Sequence, residues 1–434
     1  MKDNYVLFWH RRDVRIEDNI GLYKALTCGS KVIPLFIFDK DILSNLPQDD
    51  ARVTFIHEEL EKINNTLQEN YGVSFMVQHG NPLEIFHKLT QKFTITAVYT
   101  NHDYEPYAIA RDEKVREFLA TKNIAFHSFK DQVIFERNEI VKADGKPYTV
   151  YTPYSKKWLA TLKKFDYESV NCSAHYGNFA KTSFNFPSLE EIGFIKSTIK
   201  VLPYTMTENI IANYESTRNF PAIEGTSKLS PHLRFGTVSV RQCVQNGLLS
   251  EENTFLKELI WREFFMQILW HFPESVTNNF KLKYNGIKWR NNEQEYKAWC
   301  EGKTGYPLVD AGMRELNETG YMHNRVRMIT ASFLCKHLLI DWKWGETYFA
   351  KKLLDFDLAQ NVGNWQWVAG TGCDSSPYFR IFNPTSQIQK FDKAHEYIRK
   401  WVPDYQEFTY PTQIVEHKEA RIRCLERYKS GIET

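Results

Sequence analysis

The stretch VIPLFIFDKDILSNLPQDDARVTFIHEELEKINNTLQEN, residues 32–70, decides the architecture of the first part of the chain. It opens on a short apolar run, 32–38, read as a strand, and continues into an amphipathic segment, 51–70, read as a helix. The same alternation recurs around it. Further apolar runs stand at 6–9, 73–77, 97–100 and 124–129, and a second amphipathic segment at 108–122. Strands alternating with helices indicate a parallel sheet with crossover helices, a Rossmann-like α/β domain over residues 1–130. No GxGxxG follows the first run, so nothing marks this domain as a dinucleotide site.

The pattern decays over 131–202. Turn-formers and prolines recur there (ADGKPYTVYTPYSKK, FNFPSLEE), as in a long surface connector. From 203 to 434 the chain reads as helix after helix, clearest at 254–270 and 321–339, so an all-α C-terminal domain is expected. Two domains also suit 434 residues. Charge is nearly balanced, 55 Lys+Arg against 53 Asp+Glu, which excludes a polybasic protein but not a local basic face. The seven cysteines are scattered and form no CxxC, pointing to a reduced, intracellular chain without a zinc cluster. Charges interrupt the N-terminal stretch MKDNYVLFWHRRD where a signal peptide needs an apolar core, and no run approaches membrane-spanning length. A soluble, cytoplasmic monomer is expected.

Four constellations carry chemistry. In TFLKELIWREFFMQILW (254–270), Glu258, Trp261, Arg262 and Phe265 fall at i, i+3, i+4 and i+7, on one helical face. An intrahelical Glu–Arg pair beside a core indole explains them; alone, that reading is the better one. The alternative is a helix that stacks a base on Trp261 and uses Glu258 as acceptor or proton handler. In YMHNRVRMITASFLCKHLL, Met322, Val326, Ile329 and Phe333 take the core spacing. Asn324, Arg325, Arg327 and Met328 are left for either a solvated face or a polar planar ligand. Asp355 and Asp357 form a lone DxD, weak as a metal motif; two carboxylates can equally accept from a ligand or pair with Arg327. No metal is expected. EGTSKLSPHLRFG (224–236) is either a capped turn or a phosphate cradle, and the clustering of Thr226, Ser227 and Lys228 favours phosphate.

The segment NVGNWQWVAGTGCDSSPYFRIFNP (361–384) has no helical or strand periodicity and reads as an aromatic loop beside an arginine, suited to binding. Trp365 and Trp367 are two apart, so they cannot share one helix face. One is expected to point inward and the other outward.

Taken together, these motifs resemble the photolyase/cryptochrome family, and within it the class I cyclobutane pyrimidine dimer photolyases. The resemblance spans nearly the whole chain, from FWHRRDVRIEDN (8–19) through EGTSKLSPHLRFG and ELIWREFF to EGKTGYPLVDAGMRELNETGYMHNRVRMITASFL (301–334) and DFDLAQNVGNWQWVAGTGCDSSPYFRIFNP (355–384). It implies a U-shaped FAD in the helical domain. Tyr214, Thr226, Ser227, Lys228, Leu229, Ser230, Glu258, Arg262, Asn324, Arg327, Asp355, Asp357 and Asn361 match the flavin contacts. Asn361 matches the residue beside flavin N5, asparagine in repair enzymes and aspartate in plant cryptochromes. Trp365, Trp342 and Trp289 match the tryptophan chain that relays electrons from the surface.

By the same resemblance, Trp261 and Trp367 match the two indoles that hold a flipped thymine dimer, Glu258 and Asn324 its polar contacts, and Met328 a methionine of cyclobutane dimer enzymes where (6-4) photolyases carry histidine. Arg218, Arg325 and Arg380 match arginines on DNA phosphates. The implied activity is light-driven splitting of cyclobutane dimers in UV-damaged DNA, with excited reduced FAD as electron donor and Glu258 as hydrogen-bonding or proton-donating group. Folate-binding relatives carry an Asn-Glu and a Cys-Lys pair where this chain reads DYEPYAIARD and PESVTNNF. That departure disfavours a methenyltetrahydrofolate antenna and leaves a deazaflavin, another chromophore or an empty site open. Two rivals stand beside this reading: a cryptochrome-like blue-light photoreceptor, and a non-catalytic nucleic-acid-binding protein.

Overall fold

A computed structural model of the chain describes residues 4–433. Residues 1–3, the head of the stretch read against a leader, and Thr434 lie outside the described residues. Five strands form one parallel sheet: β1 (Asn4–His10), β2 (Lys31–Asp39), β3 (Met76–Gly80), β4 (Thr94–Asn101) and β5 (Ala125–Phe129), in the order β3-β2-β1-β4-β5. The central strands β1 and β2 are buried on both faces, as continuous apolar runs in a parallel sheet must be. Val6 and Phe8 join one core, with Phe36, Leu60 and Leu67; Leu7 and Trp9 join the other, with Ile33, Phe86 and Leu119. The helices α1 (Ala51–Tyr71), α2 (Pro82–Lys92) and α3 (Pro106–Thr121) lie in the crossovers. Asp50 and Asn81 cap α1 and α2, each side chain accepting from a backbone N–H two residues on. The run expected as a strand at 73–77 pairs with β2 only from Met76, because Ser74 is turned to Thr182 instead, donating N–H to its carbonyl (3.2 Å).

The chain divides into two compact units, and neither is continuous in sequence. The sheet unit takes residues up to 136, 161–204 and 228–249, so the helices Ser230–Phe235 and Val240–Gly247 belong to it. The helical unit takes 137–160, 205–227 and everything from 250 on. The segment 131–202, expected as a connector, is therefore shared between the units, and it contains a helix, α4 (Tyr151–Thr161). The helical unit's other elements used below are α5 (Thr254–His271), α6 (Asn324–Ser332), α7 (Trp342–Lys352), α8 (Leu358–Ala369) and α9 (His417–Glu433). No helix of the described residues is long and apolar enough to cross a membrane.

One expectation is corrected. Residues 358–369, read from Asn361 on as an aperiodic loop, form α8. Ala359, Asn361, Val362, Trp365, Gln366, Val368 and Ala369 are all buried, so the helix is enclosed on most of its circumference and shows no amphipathic stripe. Gly363 lets it approach α5: a Cβ there would stand 2.2 Å from the ring of Phe265. Gly345 of α7 does the same for the indole of Trp365, which a Cβ would meet at 2.1 Å.

Candidate functional site

Helix α5 brings Glu258 and Trp261 to a half-exposed face while Phe265 turns into the core. Glu258 accepts from Nη1 of Arg218, a residue carried by a different segment. Two groups expected on different parts of a ligand are thus joined to each other. The Arg218 guanidinium also lies 5.6 Å over the ring of Tyr214, which meets Phe255 edge-on. Trp261 is stacked face to face on Tyr151, with ring centroids 3.6 Å apart and planes 6° from parallel. Sequence reasoning missed Tyr151, because its surroundings read as connector; the i, i+3, i+7 spacing of Tyr151, Tyr154 and Trp158 was the available signal.

Helix α6 begins at Asn324, which is exposed, with the His323 ring accepting from the backbone N–H of Arg325 (3.2 Å). Arg325 lies 4.4 Å over the ring of Phe391 and donates to Asn219 Oδ1, yet its Nε is buried with no hydrogen-bond partner among the described residues. Its pKa is lowered, first by burial and then by the charges of Arg218 and Arg380. Two of the arginines expected on phosphates, Arg218 and Arg380, are therefore close enough to repel the third, Arg325. Arg327 behaves differently. It donates two parallel bonds to Asp355 (3.1 and 2.8 Å) and a third to the carbonyl of Met322 (2.7 Å). Burial works against its charge, but Asp355 more than offsets that. Asp355 is thus held in a bidentate ion pair. Asp357 stands at the start of α8, and Met328 is half-buried on α6.

On α8, the Nδ2 of Asn361 donates to the backbone oxygen (3.0 Å) and the carboxylate (2.8 Å) of Glu346, leaving the amide's oxygen for another donor. Burial raises the pKa of Glu346, while the bond from Asn361 works the other way. Trp365 is buried, edge-on to Phe349 at 4.9 Å, whereas Trp367 is half-buried. The inward–outward split read from their spacing is what the helix produces. Trp342 is also fully buried and donates Nε1 to Asn279 Oδ1 (2.9 Å). Trp289 sits at the rim of the same core, edge-on to Tyr428.

The hydroxyl-rich stretch is divided. Thr226 and Ser227 belong to the helical unit, where Gly225 packs so tightly on Thr217 that a Cβ would come within 2.5 Å. The hydroxyl of Thr226 is buried and has no hydrogen-bond partner among the described residues. A buried hydroxyl is rarely left so, and a ligand oxygen would satisfy it. Lys228, Leu229 and Ser230 belong to the sheet unit, where Lys228 takes a left-handed backbone (φ 55°) just before the helix Ser230–Phe235. Arg262 of α5 offers its carbonyl oxygen to Gln360 Nε2 (2.7 Å), tying α5 to α8.

Known proteins resemble this chain over its full length. The family described as DNA photolyase matches residues 6–172, and the FAD binding domain of DNA photolyase matches residues 255–409. The deoxyribodipyrimidine photo-lyase of a Synechococcus strain is 37% identical over 92% of this chain and 88% of its own length. That of Escherichia coli is 36% identical over 98% of both. Among solved structures, a bacterial class III photolyase from Agrobacterium tumefaciens has a TM-score of 0.90 at 33% identity, covering 100% of this chain and 99% of that one. An archaeal photolyase from Sulfolobus tokodaii, solved with two FAD molecules, has a TM-score of 0.83 at 32% identity over 98% and 99%. A Synechocystis cryptochrome, at 22% identity and a TM-score of 0.85, shares the fold.

Proposed function

Because the chain belongs to the DNA photolyase family, we infer that it is a deoxyribodipyrimidine photo-lyase, splitting cyclobutane pyrimidine dimers in UV-damaged DNA with FAD as cofactor. The observation that carries the reading is the pairing of two half-exposed indoles, Trp261 and Trp367, with Arg325 and Arg380, two guanidiniums with no carboxylate partner among the described residues. Aromatic walls recognise extruded bases by stacking, and unneutralised guanidiniums recognise phosphate. Photolyases are themselves an example of enzymes that take their target out of the stack, and a poorly stacked dimer costs least to extrude.

The residues fit the cofactor: the orphaned Thr226 hydroxyl, the acceptor oxygen of Asn361 and the fixed guanidinium of Arg327 are polar groups for a planar, phosphorylated ligand. When bound, reduced FAD supplies on excitation the electron that splits the dimer. Around it, Asn361 presents its oxygen with the amide held by Glu346. Glu258, paired with Arg218, offers an acceptor to the pyrimidine edge. Asn324 and Met328 flank the lesion, and the buried Trp365 and Trp342 with Trp289 at the rim form the electron relay. A photoreceptor would need no dimer clamp, which weighs against the signalling alternative. The enzyme is a cytoplasmic monomer in this reading.

The test is direct. Reduced protein under blue or near-UV light should restore intact thymines in a dimer-containing oligonucleotide, and the dark sample should not. No restoration by flavin-loaded protein would sink the reading.

A further inference from the structure

Tyr151 touches one wall of the proposed clamp and is tied to the segment that leaves the other. Its ring lies flat on one face of Trp261, and its hydroxyl donates to the carbonyl of Lys257 (2.8 Å) one turn earlier on the same helix. Its backbone N–H donates to Asp374 Oδ2 (3.0 Å). Asp374 lies in the segment that leaves α8, and that segment is pinned to the other wall by Ser376, whose N–H donates to the carbonyl of Trp367 (3.2 Å). A single residue therefore connects the α5 indole, by stacking, to the segment that holds the α8 indole, by hydrogen bonds.

Tyr151 is itself fixed. Three residues on from it, Tyr154 packs on Phe264 at 5.2 Å; four further on, Trp158 donates to Glu263, a buried carboxylate on α5. Tyr151 also meets Phe264 edge-on at 5.9 Å. Helix α4 is thus locked along α5 by an aromatic and a charge-assisted bond. A side chain held at three points is a brace, not a plug that swings aside to admit a ligand. With Tyr151 on one face and Phe265 packed 5.5 Å away, the indole remains half-exposed, and that exposed part is what a base can reach. An indole that cannot rotate loses less freedom on stacking, so the gain on binding is greater.

We infer that Tyr151 is a positioning residue for lesion recognition, setting the orientation of Trp261 and its spacing from the Trp367 wall. The inference rests on the dimer-splitting reading. Its test is the affinity of the flavin-loaded protein for a dimer-containing oligonucleotide against the same undamaged sequence, with flavin content and melting temperature measured on each sample. Tyr151→Leu should weaken dimer binding about three- to tenfold, the span of one aromatic pair. Undamaged binding, its salt slope and flavin content should not move. Tyr151→Phe, which keeps the ring, should restore most of the affinity. Should the leucine variant fail to fold, Asp374→Ala removes the second tether and should weaken dimer binding about twofold to threefold with the same selectivity. Unchanged or tighter dimer binding, an equal loss on undamaged DNA, or a phenylalanine variant as weak as the leucine one would overturn the inference. If the unsubstituted protein shows no preference for the dimer, the functional reading fails first and takes this inference with it.

Discussion

Arg325 of the helical unit and the buried arginines of the sheet unit answer burial in opposite ways. In the sheet unit every buried guanidinium named here has a carboxylate. Arg15 and Arg241 share Asp131 (2.5 and 2.9 Å), Arg111 meets Asp39 and Asp112, and Arg12 meets Asp103 and Glu105. Burial works against the charges of Arg111 and Arg241, but their carboxylates hold both above the ordinary arginine range. Asp103, pushed up by burial, is pulled down to about 2 by Arg12 and its neighbours. In the helical unit Arg325 moves the other way, lowered by burial and then by Arg218 and Arg380. Arg380 has no carboxylate partner among the described residues. The first network is closed and serves the fold. The second is short of an anion, and a polyanion is what would complete it.

The largest effect should come from opening the closed network. Asp131 is almost fully buried and accepts from Arg15, Arg241 and the N–H of Ile20 (3.1 Å). Asp131→Ala would leave two buried guanidiniums short of their shared carboxylate, which costs about 3 to 5 kcal/mol. Urea unfolding should register that loss, while the salt dependence of DNA binding stays as it was. A cost under about 1 kcal/mol would show that the sheet-unit network is not structural in the sense argued.

How much of this was legible depended on whether the pattern was local. The five strands were readable because β-branched and aromatic runs alternate with amphipathic helices; β3 began three residues later than expected, at Met76, and β5 one residue later, at Ala125. Helix α8 was not readable, because enclosure of Asn361, Val362, Trp365 and Gln366 erases the polar stripe that announces a helix. The placing of 228–249 with the sheet unit rests on bonds such as Arg241 to Asp18, more than two hundred residues apart. Spacing along the chain cannot show those. At the site, the Trp365/Trp367 split followed from geometry alone, whereas the pairing of Glu258 with Arg218, rather than an assignment of each to a separate ligand group, needed the fold.

A second prediction asks whether burial with like charge is by itself a binding signature. His337, just after α6, places Nε2 2.8 Å from Nδ1 of His417, and burial, His417 and Arg423 push its pKa down to about 3. The unfolded chain takes up a proton near 6.5 and the folded chain does not. The unfolded state then holds more protons between those values, so stability is lost as pH falls through that window. His337→Gln should reduce the acid loss by on the order of 2 to 3 kcal/mol at roughly pH 4. DNA affinity at neutral pH should not change. An unaltered acid profile would mean that His337 does not titrate as its surroundings imply. A change in DNA binding would mean that the core and the surface cluster are one system.

The smallest effect is the most specific. Arg380 is exposed, so Arg380→Ala should leave the melting temperature in place. Removing one phosphate contact should weaken DNA binding by about 1 kcal/mol and reduce the slope of log affinity against log salt by about 1, on damaged and undamaged DNA alike. Position and sequence matter here because Arg380 helps to depress Arg325. Its loss relieves that repulsion, so the measured drop in affinity is the lost contact minus the relief, and the slope is the cleaner reading. A slope that stays the same would place Arg380 away from the backbone of the bound DNA. The open cluster would then be a store of unbalanced charge with no phosphate to complete it, and the contrast with the closed network of the sheet unit would lose its functional meaning.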